Sequence, residues 1–404
     1  MKKIILHTAV AGSLALLMTT AAFGGGFQLN EHGASAMAQG GAFAARATDP
    51  SAIYFNPAGL GFQHGVQAYL GATFIMPKVS FFGPVQNNVN TETKMVDQTF
   101  TPINAYVTYE VTDNIHVGFG VNNPFGLGTK WPDNWAGKYI STEVDLQSFF
   151  FTPTVAYKIS DQFSVGGGFN YATGNVTIKR QVQDNLDPSA TIDLKLSGTG
   201  AGFNVGALYK FSNDLSVGAS YRSSVKIDAS GTATFTPNRS VYPGGDASSS
   251  LELPATGFIG IAYAPMEHLS LEADYQYIGW SSYKDLTITF KKDNSQTVSP
   301  KNYQNTYILR VGGEYTWNEF RFRAGYLYDH SPVLTEYVEP LLPDANRNGL
   351  NVGVGYQVTK ELSVDVAYMF LKFDQRKATN TAVNFDGTYN ANANLLSIDL
   401  GYSF

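Results

Sequence analysis

A short turn flanked by alternating strands recurs six times along the chain, and each copy opens on a tyrosine at the same offset. Tyr109 is followed by EVTDNIHVG, Tyr157 by KISDQFSVG, Tyr209 by KFSNDLSVG, Tyr263 by APMEHLSLE, Tyr315 by TWNEFRFR and Tyr356 by QVTKELSVD. Two to four turn-type residues between apolar alternations is the spacing of a tight hairpin. Successive tyrosines are 41 to 54 positions apart, room for two strands and one long connection. Tight turns on one side and long loops on the other are the asymmetry of an outer-membrane barrel.

Six turns join twelve strands. A strand at 66–78 before them and one at 393–404 after them predict fourteen, an even number that leaves both termini on the periplasmic side. Composition fits that reading. Charged residues are 15% and aromatic residues 14% of the chain, with 40 Gly and no Cys, so neither disulfides nor thiolate-bound metals can hold it together. Beyond the N-terminus no apolar run is long enough for a transmembrane helix, which leaves a closed barrel as the structure that satisfies its backbone in lipid. The predicted fold is all-β: an antiparallel, fourteen-stranded transmembrane barrel. A soluble β-sandwich is the competing fold, and it has no evident use for a tyrosine repeated at one turn offset.

The N-terminus fixes the compartment. Lys2 and Lys3, an apolar run from Ile4 to Met18, and the small residues of Ala22-Phe23-Gly24 predict a signal peptide over 1–24. Its removal moves the formal net charge from −6 to −8, a balance that argues against a nucleic-acid partner. Residues 25–65 resemble neither the apolar leader before them nor the alternating strands after them. They are rich in Gly and Ala, lack period-two alternation, and carry the turn signals Asp49-Pro50 and Asn56-Pro57-Ala58-Gly59. A flexible tail should be charged, yet this stretch has only Glu31, Arg46 and Asp49 as charges, with Phe27, Leu29, Met37, Phe43, Ile53, Tyr54, Phe55 and Leu60 to bury. A fourteen-strand barrel has a lumen to fill, so 25–65 is expected to be an N-terminal plug, or hatch, inside the 66–404 barrel.

Alternation assigns faces. In the last strand Leu396, Ile398, Leu400, Tyr402 and Phe404 face lipid, and the six turn tyrosines form the periplasmic girdle. The terminal Tyr402-Ser403-Phe404 resembles the signal read by the barrel-assembly machinery. A ligand with a carboxylate needs cationic partners in an apolar lumen, and alternation points Arg222, Lys226, Arg310, Arg321 and Arg323 inward. The same count makes Phe258, Ile278, Ile308 and Leu327, with Phe27 from the hatch, the candidate apolar lining. In the loop 124–143, Phe125, Leu127, Trp131 and Trp135 read as a hydrophobic landing patch on the extracellular side, since exposed apolar loop patches mark interaction sites. An aromatic girdle is the other reading of those residues. In the third strand Ile115, Val117, Phe119 and Val121 give way to Asn123-Pro124-Phe125-Gly126, where Pro124 cannot donate to a ladder and Gly126 permits a bend. Either the strand simply ends there or the wall has a hole.

Four ordered motifs resemble the outer-membrane long-chain fatty acid transporters, also called the FadL or toluene-transport family. They are Gly26-Phe27-Gln28-Leu29-Asn30-Glu31, Asn56-Pro57-Ala58, Asn123-Pro124-Phe125-Gly126-Leu127, and Arg323-Ala324-Gly325-Tyr326 with Ser331-Pro332-Val333. The resemblance implies passive uptake of hydrophobic compounds across a Gram-negative outer membrane, long-chain fatty acids first among them, without an energy-coupling protein. It also implies a hatch that rearranges on ligand binding and a lateral exit into membrane lipid beside a kinked third strand. On that picture Asn56-Pro57-Ala58 is expected to dock near the break at Asn123-Pro124. Aromatic or other small hydrocarbons taken by the same route are the alternative ligands, and a general diffusion porin is the alternative function.

No cofactor or metal is predicted, and no enzyme. His116 and His268 fall at periplasmic turns, and only His330 lies near the outer side. In Asp329-His330-Ser331 neighbouring strand residues alternate faces and cannot converge on one reacting atom.

Overall fold

The computed structural model describes residues 25–85, 91–238, 244–380 and 383–404. The expected signal peptide, 1–24, lies outside the described residues. The chain forms a closed antiparallel barrel of 14 strands. They are β1 (Val66–Phe82), β2 (Ile103–Glu110), β3 (Ile115–Asn122, resuming as Gly126–Lys130), β4 (Glu143–Lys158), β5 (Phe163–Gln181), β6 (Thr191–Lys210) and β7 (Leu215–Arg222 and Val225–Thr236). The circuit continues through β8 (Gly245–Leu253 and Thr256–Met266), β9 (Leu269–Ile278 and Asp285–Phe290), β10 (Gln296–Pro300 and Thr306–Trp317), β11 (Phe320–Asp329), β12 (Arg347–Gln357), β13 (Leu362–Phe373) and β14 (Gly387–Ser403). Closure comes from β1 against β14, in register from Gln67 opposite Ser403 to Phe82 opposite Thr388.

Four of the six tight turns share one local device. In each, a backbone N–H reaches the carbonyl four residues on: Val111 to Ile115, Ile159 to Phe163, Phe211 to Leu215 and Val358 to Leu362, at 2.8–2.9 Å. The hydroxyl of Thr112, Ser160, Ser212 or Thr359 then accepts from N–H groups inside the turn, the local bonding by which Ser and Thr favour turns. The fifth is a two-residue turn in which Asn318 sits at φ 52, a left-handed conformation that Asn tolerates better than most residues.

The expected faces are observed. Tyr109, Tyr157, Tyr209, Tyr263, Tyr315 and Tyr356 all point outward and are exposed, as are Leu70, Phe169, Ile259, Leu350 and Leu400, forming the apolar outer band that a lipid-embedded barrel needs.

Residues 25–62 fill the interior. The body of this hatch, from α1 (Ala34–Met37) through α2 (Ala52–Phe55) to a 3-10 turn at Pro57–Phe62, is held chiefly through its own backbone. Asp274 accepts from the N–H of Phe43 and Ala44, Glu272 from Ala45 and Arg46, and Asp399 from Ala34. Asn204, Ser216 and Ser220 donate to the carbonyls of Ile53, Ala45 and Phe55. These bonds satisfy backbone groups that burial would otherwise leave unpaired. Glycines in the wall make the close approach possible: a Cβ on Gly218 would lie 2.0 Å from the Ala44 carbonyl oxygen, and one on Gly312 2.2 Å from that of Gln39.

Candidate functional site

The third strand breaks where Pro124 removes a ladder donor. Pairing of β3 with β4 runs from Ile115–Tyr157 to Asn122–Phe150, stops, and resumes one residue out of step at Gly126–Gln147. Pairing with β2 ends at Asn122–Asn104, so among the described residues the strand ladder of Gly126–Lys130 is with β4, and its other side bonds only at its ends, Gly126 to the hatch and the Lys130 carbonyl to the Val96 N–H. The Asn123 side chain closes the lower edge of this break. Its Oδ1 accepts from the Ile103 N–H at 2.8 Å and its Nδ2 donates to the Ser148 carbonyl at 2.6 Å, spanning β2 and β4.

From inside, the first residues of the hatch pair with the break. The Leu29 N–H donates to the Pro124 carbonyl at 2.9 Å and the Gly126 N–H to the Phe27 carbonyl at 3.0 Å, with Gln28 directly opposite Phe125. Residues 25–31 therefore act as an arm lying along the opening. Its outer end is fixed by Trp280 Nε1 donating to the Gly25 carbonyl, Arg347 Nη2 to that of Gly26, and the Gly26 N–H to Asp344 Oδ2. Gly26 is required here: its φ is +69, and a Cβ would sit 2.8 Å from the Trp280 ring. The Phe27 ring packs edge-on against Trp280 at 4.5 Å, Tyr283 at 5.8 Å and Phe125 at 6.2 Å.

Two apolar cavities meet at Phe27. The larger, about 410 Å³, is lined by the lumen-facing Leu371 and Leu395, by the arm, and by both faces of β4, inward Leu146 and Ser148 together with outward Asp145, Gln147 and Phe149. At the break the cavity thus reaches residues on both faces of β4. The second, about 90 Å³, continues toward the outer side between Leu194, Ile227, Leu251, Leu286 and the Lys301–Glu339 ion pair.

Asp344 lies in the connection between β11 and β12, beside the arm. Burial pushes its carboxyl up to about 7, against the opposing pull of Arg347 and the Ser331 hydroxyl.

The expected site residues divide sharply. Phe27, Phe125, Leu127, Asn123 and Gly126 line the larger cavity, and Leu127 and Phe27 border both; Pro124 bonds the arm. The inward cations are occupied. Arg222 donates to Asn170 and the Tyr54 carbonyl, Arg310 to Gly40, Asn30 and Gln276, and Arg323 pairs with Glu314 and Asp365. Arg222 and Arg310 hold hatch and wall together, Arg323 ties the wall strands β10, β11 and β13 to one another, and none of these three nor Arg321 lines either cavity. Phe258 packs against Tyr54 and Phe55, within the hatch body. Ile278, Ile308 and Leu327 are fully buried on the inner side.

Three expectations are corrected. Lys226 points outward and pairs with Asp228, because the interruption at Ser223–Ser224 shifts the strand's alternation by one residue: Arg222 and Val225 both face in. Trp131 and Trp135 are buried, stacked at 4.3 Å, with their indole N–H groups bonded to the carbonyls of Pro340 and Ser141. They consolidate the folded-back loops and present no landing surface; Phe125 is likewise buried, inside the break. Asn56-Pro57-Ala58 docks away from the break, against Gly166 and Gly206, where Asn56 Nδ2 donates to the Ala207 carbonyl at 3.0 Å. Sequence reasoning missed Trp280, Asp344 and Arg347. Alternation would have found the inward Leu371 and Leu395, whereas no periodic signal marks Asp344 in its loop.

Residues 15–404 match the family model described as outer membrane protein transport protein (OMPP1/FadL/TodX). The long-chain fatty acid transport protein of an Escherichia coli strain is 26% identical over 94% of this chain and 93% of its own length. A solved Pseudomonas aeruginosa FadL homologue shares the fold at a TM-score of 0.85 and 22% identity, over 94% of this chain and 100% of that one. The P. putida toluene transporter TodX shares it at 0.75 and 18% identity, over 93% and 99%. The chain belongs to the OMPP1/FadL/TodX family, and is an outer-membrane transporter for hydrophobic compounds.

Proposed function

We propose that this protein carries long-chain, fatty-acid-like compounds from its outer face through the two cavities and releases them sideways into membrane lipid through the break in β3. The observation that carries this reading is the cavity lined by both faces of β4, whose volume of about 410 Å³ falls within the ~300–1,000 Å³ of small-molecule sites. The arm is the gate. It occupies the break with two backbone hydrogen bonds and the Phe27 ring, so a ligand entering from the outer cavity must displace Phe27 to pass. The hatch body stays in place.

The chain has no cysteine, so a designed disulfide is unambiguous. Gln28 and Phe125 face each other as a non-hydrogen-bonded antiparallel pair, the pairing with Cα atoms about 4.5 Å apart, within reach of a disulfide. The Gln28→Cys/Phe125→Cys protein is expected to stop taking up labelled fatty acid when oxidised and to recover when reduced. Uptake unchanged by oxidation would show that the arm is no gate.

A further inference from the structure

The charges along this route are unusual for a path serving anions. Lining the larger cavity are Glu31, Asp145, Asp344 and Arg347; lining the smaller are Lys301 and Glu339. Both cations are taken. Arg347 pairs with Asp329 at 3.4 Å and Asp344 at 3.5 Å and donates to the Gly26 carbonyl, and Lys301 pairs with Glu339. The cavity at the break thus has three carboxyl groups to one engaged guanidinium.

One carboxylate stands at the mouth. Asp145 is on the outward face of β4, directly opposite Gly128 of the resumed β3 strand, and its side chain accepts from Gln147, two residues along on the same face, at 3.1 and 3.3 Å. Below these two polar groups the mouth is apolar, bordered by Ile103 and Phe149. A molecule leaving with its tail toward the hydrocarbon brings its head group past Asp145. For a carboxylate that passage is opposed twice, by desolvation in the cavity and by like charge at the exit.

We infer that the lateral exit passes its ligands uncharged, with Asp145 as the residue that rejects anions: neutral hydrocarbons and alcohols leave freely, and fatty acids leave as the protonated acid. This rests on the lateral-release reading. It predicts that the ligand class is set at the exit, since among the described residues nothing lining either cavity offers a free cation to an acid.

The test compares uptake of oleic acid, oleyl alcohol and toluene by cells carrying the wild-type protein, Asp145→Asn or Asp145→Lys, with folding checked by heat-modifiable migration and cells lacking the protein as baseline. In wild type the acid-to-alcohol uptake ratio should fall as the medium is raised from about pH 5.5 to about pH 8, as a carboxyl near an apolar site ionises. Asp145→Lys should raise that ratio about fivefold at the higher pH, Asp145→Asn by less, and toluene uptake should not move. Equal changes in acid and alcohol, or none in either, would overturn the assignment. The oxidised Gln28→Cys/Phe125→Cys protein separates the two layers. If it takes up all three probes normally, the exit route itself fails and the inference with it; if it blocks all three while Asp145→Lys leaves the ratio unchanged, only the selectivity assignment fails.

Discussion

The two ends of the hatch are held by different means. The body, 34–62, is gripped through its backbone by wall carboxylates, and glycines bring the wall strands within van der Waals reach of it. The arm, 25–31, is held by two strand-type hydrogen bonds to a broken strand, by a few bonds at its tip, by Arg310 donating to Asn30 at its base, and by one aromatic ring. Moving the body would leave many buried polar groups unpaired at once, each costing about 1–3 kcal/mol. Moving the arm breaks few bonds and replaces the Phe27 contacts with ligand contacts. The gating proposed above therefore asks only the arm to move.

That contrast can be broken most forcefully in the body. Gly218→Val or Gly312→Val places a side chain where Ala44 or Gln39 backbone already lies, and should cost at least the upper end of the ~1–3 kcal/mol typical of overpacking. The melting temperature of the purified barrel reads it directly, and a wild-type value would mean the body is as loose as the arm. Phe27→Ala removes a buried ring worth about 3–5 kcal/mol in an ordinary core. Here the loss should fall on arm docking alone, so resting ion conductance in a planar bilayer rises while the melting temperature stays near wild type; a parallel drop in stability would erase the distinction.

A finer probe is pH. Because the Asp344 carboxyl is raised from its ordinary 3.8 to about 7 in the closed arrangement, its contribution to arm docking is complete below about pH 4 and fades as pH rises through about 7. Protease access to the arm should increase over that window, and Asp344→Asn should flatten the change. The smallest expected effect is at Lys226→Gln, on the outer face and paired with Asp228. Uptake should stay within about twofold of wild type, as for exposed ion pairs generally.

Period two made much of this legible from sequence. It placed the six girdle tyrosines and the inward sides of Arg310, Phe258, Ile308 and Leu327 correctly, since one buried face fixes register in a strand. It failed at Lys226 because a two-residue interruption is invisible to a count that assumes an unbroken strand. Pro124 and Gly126 marked the break, but Gly126–Lys130 resuming as strand depends on β4 offering an edge, which is tertiary information. Trp131 and Trp135 read as loop residues and therefore as exposed; their burial comes from loops folding back over the barrel mouth, where Pro340, from a distant loop, supplies the bond. That arginines occupy the lumen was evident. That Asn170, Gln276 and hatch carbonyls had already claimed Arg222 and Arg310 was not.

The seam at β1 and β14 joins the two ends of the barrel, and the hatch touches both sides of it: the Ala34 N–H bonds Asp399 on β14, and the Ser35 N–H bonds the Tyr69 hydroxyl on β1. A segment that precedes the first strand in the chain thus forms a clasp across the joint between the first and last strands. A barrel emptied of the hatch would lose two bonds that tie both sides of this seam to one short helix.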